Sequence, residues 1–217
     1  LENESPTLNQ LLGQRLSHPQ IVKLINQPFY KGRLEDVPHE QPAWVLKSPF
    51  AGKVVHVINE DIPNDEVKYV GTTRRNFGTI EKVMSILDKY CIRRDYSFSI
   101  GVITPYRGQV KLYMGAINGR KKEASASQSE FWDNIKVGTI HTFQGSECDL
   151  IIIDIVEKAP EAVGKLYHHE VGEQLVNVAL SRAKHQLIIV GDTKRFGYGR
   201  GTSNVSSKVS NVLGNLR

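Results

Sequence analysis

Arg182 is a charged residue at the end of a predicted helix. In the stretch VNVALSRAK, residues 176–184, helical spacing puts Arg182 on the same side as Leu175, Val178 and Ala179. A guanidinium at the end of such an apolar face needs either a carboxylate partner or an anionic ligand. Phosphoryl transfer is helped chiefly by positive charge near the developing oxyanions, so an arginine in this position suits that chemistry. Taken alone, the position favours a structural ion pair with a carboxylate at the edge of the core.

A second polar stretch, TIHTFQGSE at residues 139–147, precedes an apolar strand. Gly145 allows the backbone to approach a ligand closely, and Glu147 offers a carboxylate that can accept hydrogen bonds from ribose hydroxyls. Taken alone, Gln144 to Glu147 is only a turn. His141 in a loop is more often a solvated or core-edge residue than a ligand contact.

A third stretch, VITPYRGQ at residues 102–109, begins in an apolar strand and continues beyond its end. The Thr104 hydroxyl, the backbone N–H groups after Pro105 and the charge of Arg107 could meet a phosphate there. Tyr106 could stack on a base. The alternative is a proline-started helix whose tyrosine packs against a neighbouring element.

Apolar runs alternate with helical patterns over most of the chain. IGVIT, LIIIDIV and QLIIV are nearly uninterrupted, which predicts strands covered by helices on both faces. The sequence therefore predicts an open α/β sheet, mostly parallel, that binds ligands at strand ends. The segment GRKKEASASQSE, residues 119–130, is predicted to be a mobile loop. Thr72 to Arg75 could touch backbone phosphates, although a solvated loop is the default.

The three polar stretches resemble motifs IV, V and VI of superfamily 1 helicases, in the branch that includes the helicases of nonsense-mediated decay and Okazaki-fragment processing. The resemblance covers most of residues 14–192. It implies a RecA-like (P-loop NTPase-like) second motor domain that uses ATP and Mg²⁺, binds single-stranded nucleic acid and moves 5′ to 3′. It assigns catalysis to Arg182. The residues it assigns to ATP contact are Gln144, Gly145, Glu147 and Arg182. The residues it assigns to contact with single-stranded nucleic acid are Thr104, Pro105, Tyr106, Arg107, Thr139 and His141.

An early segment resembles that family less closely. The family often has Gln-Tyr-Arg-x-His-Pro near the start of this domain, whereas this chain reads Gln14-Arg15-Leu16-Ser17-His18-Pro19. When the two are aligned on His-Pro, Arg15 stands where the family has its tyrosine, and Leu16 stands where it has the arginine that contacts the γ-phosphate. Either Arg15 reaches the ATP phosphates from a shifted register or this chain does not bind the phosphates through this segment.

Composition and charge predict three parts and a soluble setting. We expect connecting helices over residues 1–52, the motor domain over 53–192 and a basic tail over 193–217, which holds five basic residues and no acid. The tail could attract phosphates, although a solvated extension is the commoner case. No apolar run of 18 residues and no signal-peptide profile occur, so a cytoplasmic or nuclear location is expected and membrane contact is not. His168-His169 and the two cysteines lack metal-ligand spacing, so no metal site is predicted.

The sequence holds no GxxxxGK[ST], the motif that holds the β- and γ-phosphates. It also begins at Leu1 rather than methionine, which suggests a fragment of a larger helicase. The first RecA-like domain of the same polypeptide is the expected partner, and the isolated chain is not expected to hydrolyse ATP. A stand-alone module that binds nucleic acid or a partner without turnover is the alternative. A doubly wound small-molecule enzyme would need a glycine fingerprint after its first strand, and the sequence has none.

Overall fold

The computed structural model describes residues 17–35, 37–60, 62–63, 66–93, 98–159, 161–197 and 204–216. Within them the strands are β1 (Val55–Ile58), β2 (Val67–Val70), β3 (Thr73–Asn76), β4 (Ile100–Ile103), β5 (Ile135–Gly138), β6 (Cys148–Asp154) and β7 (Ala183–Val190). The helices are α1 (Pro19–Tyr30), α2 (Ala43–Leu46), α3 (Phe77–Ile92), α4 (Arg107–Glu123), α5 (Ala126–Asp133), α6 (His169–Leu180) and α7 (Ser207–Leu213). Short 3₁₀ turns lie at Ile140–Phe143, Lys165–Tyr167 and Thr193–Phe196.

Five strands form one parallel sheet in the order β1-β7-β6-β4-β5. One apolar cluster joins α1, α6 and α7 to one face of the sheet, and a second joins α2, α3, α4 and α5 to the other. All four residues of β4 are buried, as a strand covered on both faces requires. The predicted open, parallel α/β sheet with helices on both faces is confirmed.

The prediction of a mobile loop at residues 119–130 is wrong. Helix α4 continues to Glu123, and α5 starts at Ala126 with a capping box in which the side chains of Ser125 and Gln128 each bond the other residue's backbone. Phe131 and Trp132 then anchor α5 in the core. The spacing Ser-x-x-Gln is a helix-start signal, and it outweighs the Ser and Ala content that suggested a loop.

The prediction of a solvated loop at Thr72 to Arg75 is also wrong. β2 and β3 form an antiparallel hairpin that turns at Gly71, whose φ is 61°. The alternation of apolar and polar residues is weak in both strands, because most of their residues are partly or fully exposed. Apolar periodicity therefore gave no sign of this element.

The two ends of the described chain pack onto the sheet. Ile21, Val22 and Ile25 of α1 are buried, as are Val209 and Val212 of α7. The predicted early helix, Gln14 and Arg15 lie outside the described residues. The division of the chain at residues 52 and 192 stays a prediction.

Candidate functional site

The predicted site residues lie at opposite edges of the parallel sheet. Thr104 follows the carboxyl end of β4 and Thr139 that of β5, whereas Glu147 precedes the amino end of β6 and Arg182 that of β7. The 3₁₀ turn at Ile140–Phe143 begins the return of the chain from one edge to the other. The residues predicted to contact single-stranded nucleic acid therefore lie where the β-strands end, at the carboxyl edge of the sheet. The residues predicted to contact the nucleotide lie where the β-strands begin, at the amino edge.

Arg182 lies in a turn at the amino edge, two residues beyond the end of α6. Helix α6 ends at Leu180, so Arg182 follows its last turn, and the Arg182 N–H donates to the Ala179 carbonyl at 3.4 Å. Its Nε donates to the Val178 carbonyl at 3.1 Å and its Nη2 donates to Ser181 Oγ at 3.0 Å. Among the described residues no carboxylate pairs with Arg182, so the alternative of a structural ion pair has no support there.

The segment from Gln144 to Glu147 lies beside Arg182. The Cys148 N–H donates to the Arg182 carbonyl at 3.0 Å, which joins the starts of β6 and β7. Gln144 and Gly145 are exposed, and Gly145 has a φ of 78°, in the left-handed region that favours glycine. No atom lies within 4 Å of the place where a Cβ on Gly145 would sit. This turn therefore offers open backbone to a ligand.

One cavity at the carboxyl edge is lined by four of the residues that are predicted to contact single-stranded nucleic acid. Its volume is about 210 Å³, and it is lined by Pro105, Arg107, Thr139 and His141, together with three apolar residues. Arg107 and His141 are exposed. Sequence spacing alone could not show that these two separate loops meet.

Thr104 and Tyr106 are buried, in contrast to the exposed Arg107 in the same stretch. Tyr106 is 7 % exposed, and its hydroxyl donates to Glu157 Oε1. Burial and the Glu157 carboxylate raise the pKa of Tyr106. This geometry favours the packing alternative for Tyr106 over base stacking. Thr104 is fully buried, and its Oγ1 has no partner among the described residues.

Arg74 and Glu157 form a buried ion pair that sequence reasoning missed. Arg74 donates to Glu157 and to the Ala162 carbonyl, the latter at 2.7 Å, and its guanidinium lies 4.9 Å from the centre of the Tyr69 ring. Burial raises the pKa of Glu157, while the hydroxyl of Tyr106 and the charge of Arg74 oppose that rise. The only sequence signal was a carboxylate three residues after Asp154 at the end of a buried strand.

Asp154 joins the hairpin, α4 and β6 through a buried hydrogen-bond network. Its Oδ2 accepts from Gln109 Nε2 at 2.6 Å and from the Tyr113 hydroxyl at 2.8 Å. Gln109 Oε1 in turn accepts from the Asn76 N–H at 2.9 Å. Burial raises the pKa of Asp154 to about 6. These contacts confirm the interpretation of Asp154 as a structural residue.

The described residues contain no group of three or more His, Cys, Asp or Glu placed to hold a metal ion. His168 Nε2 lies 3.0 Å from the Val163 carbonyl oxygen, and both cysteine thiols are buried. Across the same residues, no helix is both long and apolar enough to cross a membrane.

Comparison with known protein families matches the model of an AAA domain to residues 2–194. The chain belongs to this AAA domain family. Among curated relatives, the helicase mov-10-B.1 of Danio rerio is 30 % identical over 200 residues, which are 85 % of this chain and 19 % of that protein. A homolog of regulator of nonsense transcripts 1 from Neurospora crassa is 26 % identical over 189 residues, covering 82 % of this chain and 16 % of that protein.

A third relative of this AAA domain is the DNA replication ATP-dependent helicase/nuclease DNA2 of Xenopus tropicalis, 26 % identical over 215 residues. That match covers 88 % of this chain and 19 % of that protein. The chain thus spans less than a fifth of the length of these relatives. Among solved structures, the C-terminal domain of a possible DNA helicase from Lactobacillus plantarum WCFS1 has a TM-score of 0.45 and 16 % identity, and it covers 89 % of this chain and 94 % of that one.

Proposed function

We propose that this AAA domain is the second motor domain of an ATP-dependent superfamily 1 helicase. It supplies Arg182 to the nucleotide and a track of residues to a single strand. The observation that supports this proposal most is the arrangement of the two predicted residue sets at opposite edges of one parallel sheet. A motor domain that couples ATP hydrolysis to movement along nucleic acid needs a nucleotide site and a nucleic-acid site on the same domain.

On the nucleotide side, Arg182 is the proposed arginine finger. A guanidinium has five N–H donors, and two of those of Arg182 donate to Val178 and Ser181. These two bonds orient the side chain without neutralising its charge. The remaining donors can stabilise the negative charge that develops on the γ-phosphate oxygens during hydrolysis.

The turn beside Arg182 is proposed to bind the rest of the nucleotide. Gln144 and Gly145 are exposed there, and Glu147 is partly exposed, so its carboxylate can accept hydrogen bonds from ribose hydroxyls. Mg²⁺, when bound, would neutralise charge on the phosphates, and we assign its ligands mainly to the first motor domain of the same polypeptide. Arg15 stays a further candidate for the phosphates.

On the strand side, the cavity of Pro105, Arg107, Thr139 and His141 is proposed to hold the sugar-phosphate backbone. The exposed Arg107 guanidinium supplies charge, and the Thr139 hydroxyl can donate to phosphate oxygens. Contacts of this kind are independent of base sequence and suit DNA and RNA alike. Thr104 and Tyr106 would act by shaping the start of α4. A cytosolic or nuclear location would follow from such a substrate.

The test is strand-stimulated ATP hydrolysis by the full-length protein that contains this domain. Arg182→Ala should lower turnover about 10³-fold or more, as expected for an arginine finger. Lys184→Ala is the matched control, because Lys184 is a partly exposed cation two residues away, and it should change turnover less than twofold. A change of less than about threefold for Arg182→Ala would remove Arg182 from the proposed mechanism.

A further inference from the structure

Strand β3 carries two adjacent arginines in opposite environments. Arg74 points to the protein interior, where the Glu157 carboxylate, the Ala162 carbonyl and the Tyr69 ring all contact its guanidinium. Its side chain is 13 % exposed. Alternation along a strand sends the next side chain, Arg75, to the other face of the hairpin. Arg74 therefore serves as an internal reference for a structural arginine.

Arg75 has no hydrogen-bond or ion-pair partner among the described residues, and its Nε is buried without a partner. The side chain lies against the first turn of α4, because a Cβ on Gly108 would come within 3.1 Å of Arg75 Nε. That Cβ would also come within 2.6 Å of Thr73 Cγ2. The hydroxyl oxygen of the same threonine, Oγ1, accepts a hydrogen bond from the Gly108 N–H at 3.1 Å. The glycine thus lets β3 pack onto α4 and places Arg75 against the first turn of that helix, which begins at Arg107.

The two segments that pack against Arg75, β2 and the first two turns of α4, carry three further basic residues. Lys68 lies directly opposite Arg75 in the hairpin, and like charges in that position repel. Lys68 pairs with Glu66 at 3.6 Å, but both side chains are more than half exposed, so the pair stabilises little. Arg107 and Lys111 are exposed and four residues apart on α4, which is again a repulsive spacing. An anion with regularly spaced charges would relieve each of these repulsions.

We propose that Lys68, Arg75, Arg107 and Lys111 form a phosphate-binding strip for single-stranded nucleic acid. Arg107 also lines the carboxyl-edge cavity, so the strip extends the strand track from that cavity onto the β2–β3 hairpin. The inference rests on the proposed function and adds Lys68, Arg75 and Lys111, which the helicase resemblance does not assign. The strip binds the backbone through charge and guanidinium donors and reads no base, so each bound phosphate should release counterions from the strand.

The experiment measures binding of a fluorescent oligothymidylate, about 15 nucleotides long, to the 217-residue chain over a series of salt concentrations. Arg75→Gln and Lys68→Gln should each weaken binding about threefold to tenfold and lower the salt slope by about 0.7 for each phosphate that the variant no longer binds. Their thermal midpoints should equal or exceed that of the wild type, because each substitution removes a repulsive charge. Arg74→Gln should instead lower the midpoint, because it leaves Glu157 buried without its cation.

Lys89→Gln is the charge-matched control. Lys89 is exposed near the end of α3, twelve residues or roughly 18 Å beyond Phe77, where that helix leaves the hairpin. Binding by this variant should stay within twofold of the wild type.

The possible outcomes separate the two proposals. If Arg107→Gln weakens binding but Arg75→Gln and Lys68→Gln do not, the strip is wrong and the strand track through the carboxyl-edge cavity stands. If none of the three substitutions weakens binding, both proposals fail. A fall in the midpoint of Arg75→Gln as large as that of Arg74→Gln would make Arg75 a structural residue and overturn the strip. Equal, Arg75-dependent binding of poly-glutamate would assign the strip to acidic protein instead of nucleic acid.

Discussion

At the scale of the residue, three histidines at the amino edge contact one another. His39 Nε2 lies 2.7 Å from His185 Nδ1, a distance at which one ring donates a proton to the other. The His18 ring lies 5.4 Å from that of His39, and His18 Nδ1 accepts the Gln20 N–H at the start of α1. Accepting that bond requires an unprotonated Nδ1 on His18. Protonation of both His39 and His185 would leave two N–H groups facing each other and break their hydrogen bond.

Burial is the largest cause that lowers the pKa of His18, His39 and His185 below 6.5, and a charge on His39 lowers the pKa of the other two further. Asp149, whose Oδ1 lies 3.7 Å from His185 Nε2, acts in the opposite direction on His185, while Lys184 acts in the same direction as burial. As the pH drops through 6.5, these three histidines therefore bind more protons in the unfolded chain than in the folded one. Their contribution to the free energy of unfolding then falls.

We predict that the urea midpoint falls between pH 7.5 and 6 and that His39→Gln makes the fall shallower. Below about 6 the curve should flatten, because the pKa of Asp154 is raised from 3.8 to about 6. That group binds more protons in the folded state in this window and so adds stability as the pH drops. Equilibrium unfolding at half-unit pH steps measures the curve. A urea midpoint that is constant or rises as the pH drops from 7.5 to 6 would contradict the lowered pKa values of the three histidines.

Residue types at the site were predictable, but their burial was not. Arg107 and Tyr106 are neighbours in one stretch, yet the first is exposed and the second is covered. The difference depends on Glu157, which is 51 positions away from Tyr106 in sequence. No local pattern in a single sequence reports such a contact.

At the scale of the element, α4 contains glycines with opposite demands. Gly108 lies against Thr73 and Arg75 of the hairpin, whereas a Cβ on Gly115 would meet no atom within 4 Å. Both lie inside the same helix, Arg107–Glu123. The pair therefore separates a packing requirement from helix propensity.

Gly108→Ala should destabilise the chain by about 1–3 kcal/mol, because the added methyl group overlaps Thr73 and forces the hairpin away from α4. Gly115→Ala should instead stabilise it by about 0.4–1 kcal/mol through the better helix propensity of alanine. Chemical denaturation of the two variants beside the wild type gives both values. Equal effects of the two substitutions would show that the hairpin does not pack on α4 in this way.

Elements were predicted where apolar periodicity was strong and missed where it was weak. Buried strands such as Leu150 to Asp154 follow from their composition alone. The hairpin is half solvated and bears Lys68, Arg74 and Arg75, so its pattern matched a loop. Its position is fixed instead by Asn76 and Gln109, whose mutual hydrogen bonds cross 33 residues of sequence.

At the scale of the whole molecule, the parallel sheet holds two chemically different edges apart. Strand β6 rises about 3.3 Å per residue, so its 7 residues set the edges roughly 20 Å from each other. Over that distance exposed charges are largely screened at physiological salt. Substitutions at one edge should thus leave binding at the other edge intact while still breaking the coupled cycle.

The most direct test of this separation compares Arg182→Ala with Arg107→Gln in the full-length protein. Single-strand affinity and ATP hydrolysis, with and without the strand, are measured for both. We predict that Arg182→Ala keeps strand affinity within twofold of the wild type while losing ATP turnover. Arg107→Gln should lose strand affinity and stimulation while keeping unstimulated turnover within about threefold. Parallel loss of both activities in both folded variants would contradict the assignment of nucleotide and strand to opposite edges.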